Sequence, residues 1–219
     1  MTRSRSRPEI IVLAGTNGAG KSSVGGEALR ESGGDYYNPD EAARDYLRAT
    51  PSLSVRKANS RAWQQGRDLL KQAIEQRLRF AFETTLGGTS ITGLLIHAAN
   101  VGLPVRMWYV GLQGADLHIE RVQARVARGG HDIPEQAIRQ RYTHSRINLI
   151  RLFPHLAELK LYDNSRELDP HRGEQPVPLL ILHLKRGAIL DSCPPPQVPD
   201  WAKPVVQATW NLFEASPRG

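Results

Sequence analysis

The sequence is poor in cysteine and contains no long apolar run. Cys193 is the only cysteine among the 219 residues, so the chain cannot form an internal disulfide, and this is compatible with a reducing compartment. The apolar segment at residues 10–14 is far shorter than the roughly 20 residues of a membrane-spanning helix. It is also too short for the apolar part of a signal peptide. We therefore expect a cytoplasmic protein that does not associate with a membrane.

Acidic and aromatic side chains are also scarce. The chain has 22 acidic and 29 basic residues, which gives a net charge of +7. This excess favours anionic partners such as nucleotides, nucleotide sugars or nucleic acid. Part of it lies in residues 1–8, which we interpret as a flexible basic N-terminal arm. Aromatic residues are not interleaved with basic ones as in single-strand-binding proteins, so nucleic acid is less favoured than a small acceptor molecule.

The most informative stretch, here named the glycine loop, is residues 15–22, with the sequence Gly-Thr-Asn-Gly-Ala-Gly-Lys-Ser. It follows an apolar strand candidate and precedes residues 23–30, which can be helical. The pattern G-x-x-x-x-G-K-S between a strand and a helix is typical of a phosphate-binding loop. In such a loop the lysine reaches the β- and γ-phosphates and the serine hydroxyl holds Mg²⁺.

The glycine loop therefore predicts a triphosphate site with Mg²⁺. The predicted nucleotide-binding residues are Gly15, Asn17, Gly18, Ala19, Gly20, Lys21, Ser22 and Ser23, and the predicted metal ligand is Ser22.

Strand and helix patterns alternate along residues 9–168. This alternation predicts a parallel sheet covered by helices on both faces, with ligands beyond the carboxyl ends of the strands. With the glycine loop, it predicts a P-loop NTPase/kinase domain, an α/β three-layer sandwich with a mostly parallel central sheet. Residues 169–219 read as a linker, a hairpin at residues 179–190, an extended proline spacer and a helix. We interpret this part as a C-terminal hairpin-plus-helix extension that packs on the core.

Two acids follow predicted strands at the ligand-binding edge. Asp40 stands where a carboxylate can take the proton of a phosphoryl acceptor or orient its hydroxyl. The alternative is an acid that merely favours the first turn of a helix. Glu83 ends an apolar strand and is followed by two further hydrogen-bonding residues, Thr84 and Thr85. For Glu83 the alternative is a solvated carboxylate at a strand end.

Three arginines lie on one face of a predicted helix. Arg121, Arg125 and Arg128 are spaced by four and three residues, and the helix runs into two glycines that could serve as a lid hinge. Kinases need cations over the transferring phosphoryl group, and arginine can grip two phosphate oxygens. The alternative is a solvated face. Arg139 and Arg141 on the next helix point about 200° apart, so at most one of them shares such a face.

The chain has no run of four apolar residues that ends in aspartate. The nearest candidate, residues 159–163, is interrupted by Lys160. Motor and transporter ATPases generally need that acid for Mg²⁺ and water activation, whereas small-molecule kinases often use other carboxylates. This absence favours a kinase over an ATPase.

Four blocks in the same order resemble the zeta toxin family of phosphate-loop kinases, over about residues 9–165. They are the glycine loop, residues 38–41, residues 82–85, and the arginine helix through residues 129–134. The resemblance implies transfer of the ATP γ-phosphate to a nucleotide sugar, typically the 3′-hydroxyl of the amino sugar in UDP-N-acetylglucosamine. It also implies a separate antitoxin protein as partner.

The resemblance also implies roles for individual residues. Asp40 would be the catalytic base, and Glu83, with Thr84 and Thr85, would bind the sugar acceptor. Lys21, Arg121 and Arg128 would stabilise the triphosphate, and Asn164 would lie near the adenine.

The departures from the family pattern concern the acceptor side. The best-known members have Asp-x-Asp where this chain has Asn38-Pro39-Asp40, and Glu-Gly-Thr where it has Glu83-Thr84-Thr85. The C-terminal extension has no counterpart in the well-studied toxins. Two other functions therefore stay open besides the ATP-dependent phosphotransferase with an alcohol-group acceptor. One is a P-loop kinase of another metabolite or of a nucleic acid end. The other is a nucleotide-binding regulatory protein with weak ATPase activity.

Overall fold

The computed structural model of the protein describes residues 7–26, 29, 35–130, 132–166 and 177–214. Within these ranges seven strands form one sheet, and their bounds are β1 Glu9–Ala14, β2 Asp35–Tyr37, β3 Arg79–Thr84, β4 Val105–Gly111, β5 Glu158–Asp163, β6 Leu179–Lys185 and β7 Ala188–Ser192. The spatial order is β2-β3-β1-β4-β5-β6-β7. The first five strands are parallel, and β6 and β7 are antiparallel additions.

The central position of β1 explains its uninterrupted apolar sequence. Its side chains alternate between two clusters, because successive residues of a strand point to opposite faces of the sheet. Ile10 and Val12 join the larger cluster, whereas Ile11 and Leu13 join a second cluster on the opposite face. Both faces of β1 are thus buried, as expected for a strand in the middle of a parallel sheet.

Helices connect the parallel strands and cover the sheet. A short π-helical turn, Ser22–Gly26, follows the glycine loop. The α-helices of the described ranges are α1 Pro39–Ala49, α2 Val55–Glu75, α3 Thr89–Asn100, α4 Gly114–Val126, α5 Glu135–Leu152 and α6 Lys203–Glu214. The elements predicted from sequence between residues 35 and 165 agree with these in type and order. The helix predicted at residues 23–30 is described only in part, with the π-helical turn at its start. None of the helices in the described ranges combines the length and the apolar character needed to cross a bilayer.

The C-terminal hairpin continues the sheet. β6 pairs with β5 from Glu158↔Lys185 to Asp163↔Leu179, so the hairpin is hydrogen-bonded to the parallel strands. The proline spacer is not extended throughout, because Pro195–Gln197 forms a 3₁₀ turn before α6. Most of the predicted linker lies outside the described residues, so the domain boundary at residue 168 stays a prediction.

Candidate functional site

The glycine loop leaves β1 at the carboxyl edge of the sheet and depends on glycine at two crowded positions. Gly15 has φ +146°, and a Cβ atom there would lie 2.2 Å from the Val110 carbonyl oxygen. Gly18 has φ +81°, and its Cβ would lie 2.6 Å from the His118 carbonyl oxygen. A side chain at either position would meet rigid backbone as well as an unfavourable dihedral angle.

Side chains from three distant segments hold the loop in place. His118 Nδ1 donates to the Asn17 carbonyl oxygen at 2.8 Å, and Arg141 Nη1 donates to Asn17 Oδ1 at 2.8 Å. Asn164 Nδ2 donates to the Ala19 carbonyl oxygen at 3.0 Å. These residues belong to α4, α5 and the segment after β5, so the loop conformation depends on the tertiary fold.

His118 is a neutral part of this support. Its side chain is buried, and burial lowers the pKa of the imidazole to about 4, although the Asn17 bond favours the protonated form. At neutral pH the ring is uncharged, and because a carbonyl oxygen only accepts, the proton is on Nδ1. Its ring also meets the Tyr142 ring edge-on at 5.6 Å between centroids. Sequence reasoning missed His118, because an isolated histidine in a helix carries no local signal of this contact.

Lys21 lies in the most strongly charged part of the site. Its Nζ donates to the Gly15 carbonyl oxygen at 3.0 Å. Burial lowers the pKa of the Lys21 ammonium, whereas Glu83 and Asp40 raise it. The next residues of the loop are more exposed, and the Ser23 amide donates to the Gly20 carbonyl oxygen at 3.1 Å.

Glu83 is buried against the loop. It is the second-to-last residue of β3, lies beside Leu13 of β1, is 6% exposed, and accepts a hydrogen bond from Ser22 Oγ at 3.0 Å. The Tyr36 hydroxyl donates to the same carboxylate oxygen. The alternative of a solvated strand-end carboxylate is therefore wrong. Mg²⁺ takes oxygen ligands, usually one or two from protein and the others from phosphates and water, and the Ser22 and Glu83 oxygens fit that chemistry.

The two threonines after Glu83 both line the cavity described below. Thr84 Oγ1 also accepts from the Leu86 amide at 3.0 Å, so part of its hydrogen-bonding capacity supports the local turn.

Asp40 lies in the first turn of α1, with its side chain 61% exposed. The helix is capped by Asn38, whose Oδ1 accepts from the amides of Asp40 and Glu41 at 2.9 and 3.3 Å. Asn38 thus has a capping role where the best-known family members have aspartate. Arg125 Nη1 lies 3.7 Å from Asp40 Oδ2, which joins the arginine helix to the predicted acceptor side.

The three arginines that were predicted to lie over the phosphoryl group differ in their surroundings. Helix α4 ends at Val126, and Arg128 Nε donates to the Ala124 carbonyl oxygen at 3.1 Å on the exposed helix end. Arg121 is half-buried on α4, near enough to His118 to lower the pKa of that imidazole. The phosphate-binding roles of Arg121 and Arg128 stay predictions.

Arg141 is the cation that sequence reasoning did not select. It bonds to Asn17, whereas Arg139 pairs with Asp116 on the surface at 2.7 Å. The expectation that at most one of these two arginines shares a face with the site agrees with this arrangement. The choice between them depends on how α5 is rotated against the loop, and their spacing carries no information about that.

A cavity of about 290 Å³ joins these groups. Its wall, drawn from the described residues, includes Arg141 but neither Arg121 nor Arg128. The polar and charged residues of the wall include Asn17, Lys21, Asn38, Asp40, Glu83, Thr85 and Arg141. Helix α2 contributes Asn59, Trp63 and Arg67 to the same wall. The cavity can therefore hold a molecule that reaches from the loop lysine to α2.

A glycine loop after the central parallel strand β1 defines an α/β P-loop fold. Glu83 lies near the end of β3 and Asp40 follows β2, two strands on the same side of β1. The chain belongs to the zeta toxin family, because residues 1–168 match the family model described as Zeta toxin. The resemblance and the fold class predicted from sequence are thus confirmed. Family and fold together make this a nucleotide-binding, phosphotransferase-like protein.

Three relatives illustrate the match. A Haemophilus influenzae protein described as uncharacterized is 32% identical over 138 residues, which are 61% of this chain and 92% of that protein. The AvrRxo1-ORF1:AvrRxo1-ORF2 complex, crystallised with sulphate ions or with ATP, is similar to 93% of this chain at 14% identity with a TM-score of 0.65. The match spans 64% of that longer chain.

The PezAT toxin–antitoxin system of Streptococcus pneumoniae is similar to 98% of this chain and 91% of its own at 16% identity, with a TM-score of 0.52. At these identities the two structural likenesses bear on the fold alone.

Proposed function

We propose that the protein is an ATP-dependent kinase that transfers the γ-phosphate to a hydroxyl of a small acceptor. The acceptor is proposed to be a nucleotide sugar such as UDP-N-acetylglucosamine. One observation carries this proposal: Lys21, Asp40 and Glu83 line the same cavity. A cation for the phosphates and carboxylates for a hydroxyl acceptor are the two groups that phosphoryl transfer needs.

In the proposed reaction Asp40 accepts the proton of the acceptor hydroxyl while that oxygen forms a bond to the γ-phosphorus. The bond from the γ-phosphorus to the bridging oxygen breaks, and ADP leaves. Lys21 and Arg141 face the cavity and stabilise the charge on the transferring group. Arg125 Nη1, 3.7 Å from Asp40 Oδ2, is the proposed cation beside the base. Arg121 and Arg128 belong to the proposal as cations that approach the triphosphate.

Ser22 and Glu83 are the proposed protein side of a Mg²⁺ site, where the ion neutralises phosphate charge. The bond between Ser22 and Glu83 supports a role for Glu83 on this side, in addition to the acceptor role that the family resemblance implies. Asn164, which contacts Ala19, supports the adenine side of the proposal.

The test is the Asp40→Asn variant with labelled ATP and a panel of nucleotide sugars. Transfer should be abolished while ATP affinity stays nearly unchanged, because only the step that accepts the proton is lost. Asp45→Asn on the same helix is the matched control, since Asp45 is exposed and pairs with Arg48. Retained transfer in Asp40→Asn would contradict the assignment of the base.

The products of the same assay separate the alternatives. A phosphorylated sugar supports the proposed kinase. Free phosphate without a phosphorylated acceptor supports a nucleotide-binding regulator with weak ATPase activity. Transfer to a polynucleotide end would favour the nucleic acid kinase. The proposal further includes an antitoxin partner and a cytoplasmic location, supported by the family and by the two-component complexes of its structural relatives.

A further inference from the structure

Trp201 lies beyond residue 168, where the match to the family model ends, and packs against strands of the family domain. It is 3% exposed, and its ring stacks on Tyr109 of β4 with 6.3 Å between the ring centroids. The indole Nε1 donates to Asp163 Oδ1 at 2.8 Å, and the carbonyl oxygen of the same residue accepts from Arg146 Nη1 at 3.3 Å. Each of these two bonds begins a path of contacts that ends on the glycine loop.

The first path runs through the end of β5. Asp163 is the last residue of that strand, and the amide of the next residue, Asn164, donates to the Gly111 carbonyl oxygen at 3.0 Å. The side-chain Nδ2 of Asn164 then donates to the Ala19 carbonyl oxygen at 3.0 Å. The bond from Trp201 to Asp163 therefore helps to fix the point from which Asn164 reaches the loop.

The second path runs through α5 and α4. The Arg146 guanidinium carbon is 4.0 Å from the centroid of the Tyr142 ring, and Arg146 Nε donates to the Tyr142 carbonyl oxygen at 3.0 Å. The Tyr142 ring meets the His118 ring edge-on, and His118 Nδ1 donates to the Asn17 carbonyl oxygen. Arg146 thus joins the Trp201 carbonyl group to the aromatic pair behind the loop.

Both paths end on a carbonyl oxygen of the glycine loop. A peptide unit is planar and trans, so its C=O and N–H groups point in opposite directions. A donor that holds the Asn17 carbonyl oxygen therefore directs the Gly18 N–H away from that donor. The donor on the Ala19 carbonyl oxygen does the same for the Gly20 N–H. In a phosphate-binding loop, such N–H groups converge on the anion.

We propose that Trp201 is a positioning residue for the triphosphate site. Through its two bonds it keeps the Gly18 and Gly20 amides directed at the anion. The cavity wall does not include Trp201, so it acts through the residues that reach the loop. This inference rests on the proposed function only for the triphosphate as ligand, and it is independent of the acceptor. It makes the C-terminal extension a part of the nucleotide site.

The test measures triphosphate binding and not turnover. The full chain with Mg²⁺ is titrated by calorimetry with a non-hydrolysable ATP analogue and with inorganic tripolyphosphate, at a temperature where every variant is folded. Trp201→Phe keeps an aromatic ring but loses the N–H. It should weaken both ligands equally, by about 2- to 12-fold, the range expected for one hydrogen bond. The losses should be equal because the loop amides bind phosphate, and tripolyphosphate has no base.

A double-mutant cycle identifies the path. Asn164→Ala should weaken tripolyphosphate about as much as Trp201→Phe does. Adding Trp201→Phe to Asn164→Ala should cost no further affinity, because the contact with Ala19 is already lost. Arg146→Met interrupts the second path, so its effect should add to that of Trp201→Phe.

Three substitutions are the controls. Val205 is fully buried on α6 in the same cluster as Trp201, so Val205→Ala should lower the melting temperature but leave both affinities unchanged. Trp210 is 40% exposed on the same helix, and Trp210→Phe should change neither property. Arg151 is exposed on α5, and Arg151→Met is the control for Arg146→Met.

The inference is overturned if Trp201→Phe binds tripolyphosphate as tightly as wild type, or if only the affinity for the ATP analogue decreases. It is also overturned if Val205→Ala loses as much affinity as Trp201→Phe, or if wild type binds the ATP analogue but not tripolyphosphate. Additive effects of Trp201→Phe and Asn164→Ala would contradict the first path. Triphosphate binding without phosphoryl transfer would remove the kinase and leave the inference in place. Failure of wild type to bind either ligand would remove both.

Discussion

Two kinds of side chain surround the glycine loop. Glu83 and Lys21 line the cavity itself. His118 acts from behind the loop, through one bond to the Asn17 carbonyl oxygen. It is nearly fully buried and uncharged at neutral pH, so it fixes the backbone without adding to the positive charge of the site.

The low pKa of His118 predicts a pH-dependent stability. The pKa of His118 is about 4 in the folded protein, against an ordinary value of 6.5 for histidine, so between these values the unfolded chain binds more protons. The contribution of His118 to the free energy of unfolding should therefore be complete above pH 6.5. It should decrease as the pH falls from 6.5 towards 4. From pH 7 to pH 5 the loss attributable to this group is about 2 kcal/mol.

The measurement is urea unfolding of wild type and His118→Gln at the two pH values. From pH 7 to pH 5 the free energy of unfolding should decrease less in the variant than in wild type, and the difference should be about 2 kcal/mol. His97→Gln, at an exposed position on α3, is the control and should behave like wild type. Equal pH dependence in wild type and His118→Gln would show that His118 is not the titrating group.

Among the elements, the C-terminal segment contacts the carboxyl ends of β4 and β5 through Trp201. Trp201 Nε1 donates to Asp163 Oδ1 at 2.8 Å, and Arg146 Nη1 donates to the Trp201 carbonyl oxygen at 3.3 Å. A Cβ atom at Gly111 would lie 2.2 Å from the indole ring, so β4 has a glycine where the tryptophan packs. Asn164, which contacts the glycine loop, is next to Asp163 in sequence.

Trp201→Phe should therefore weaken both the fold and nucleotide binding. Loss of the indole N–H removes a hydrogen bond from Asp163, which is only 7% exposed, at a cost of about 1–3 kcal/mol. We expect a lower melting temperature and a higher KM for ATP, with a smaller effect on the KM of the acceptor. Trp210→Phe is the matched control. A lower melting temperature with an unchanged KM for ATP would limit Trp201 to a structural role.

At the scale of the whole molecule, the extension and the family domain share one core. Ile181 and Leu182 of β6, and Trp201 and Val205 near α6, belong to the same cluster of buried residues as Ile10 of β1. The match to the family model ends at residue 168, before all of the extension residues named here. The family domain of this chain therefore packs against residues that lie outside the family pattern.

Removal of residues 177–219 should prevent stable folding. The deletion would expose the buried side of the sheet and leave β5 as an unpaired edge, which favours aggregation. Exposing several large buried side chains costs a free energy comparable with the whole free energy of unfolding of a typical domain, which is roughly 5–15 kcal/mol. Soluble expression and a cooperative melting transition check this. A truncated chain that stays monomeric and melts cooperatively would contradict it.

Features that depend on local sequence pattern could be predicted before the structure. The glycine loop is recognisable because its chemistry needs glycines, lysine and serine at fixed spacing. The order of strands and helices follows from the period of apolar residues, and the carboxyl-edge position of Asp40 and Glu83 follows from parallel strands.

Only the tertiary structure decided which distant side chains meet. The burial of Glu83 against Ser22, the choice of Arg141 over Arg139, and the support of the loop by His118 and Asn164 all depend on how separate elements pack. Hydrogen bonds between residues that are far apart in the chain leave no periodic signal in sequence.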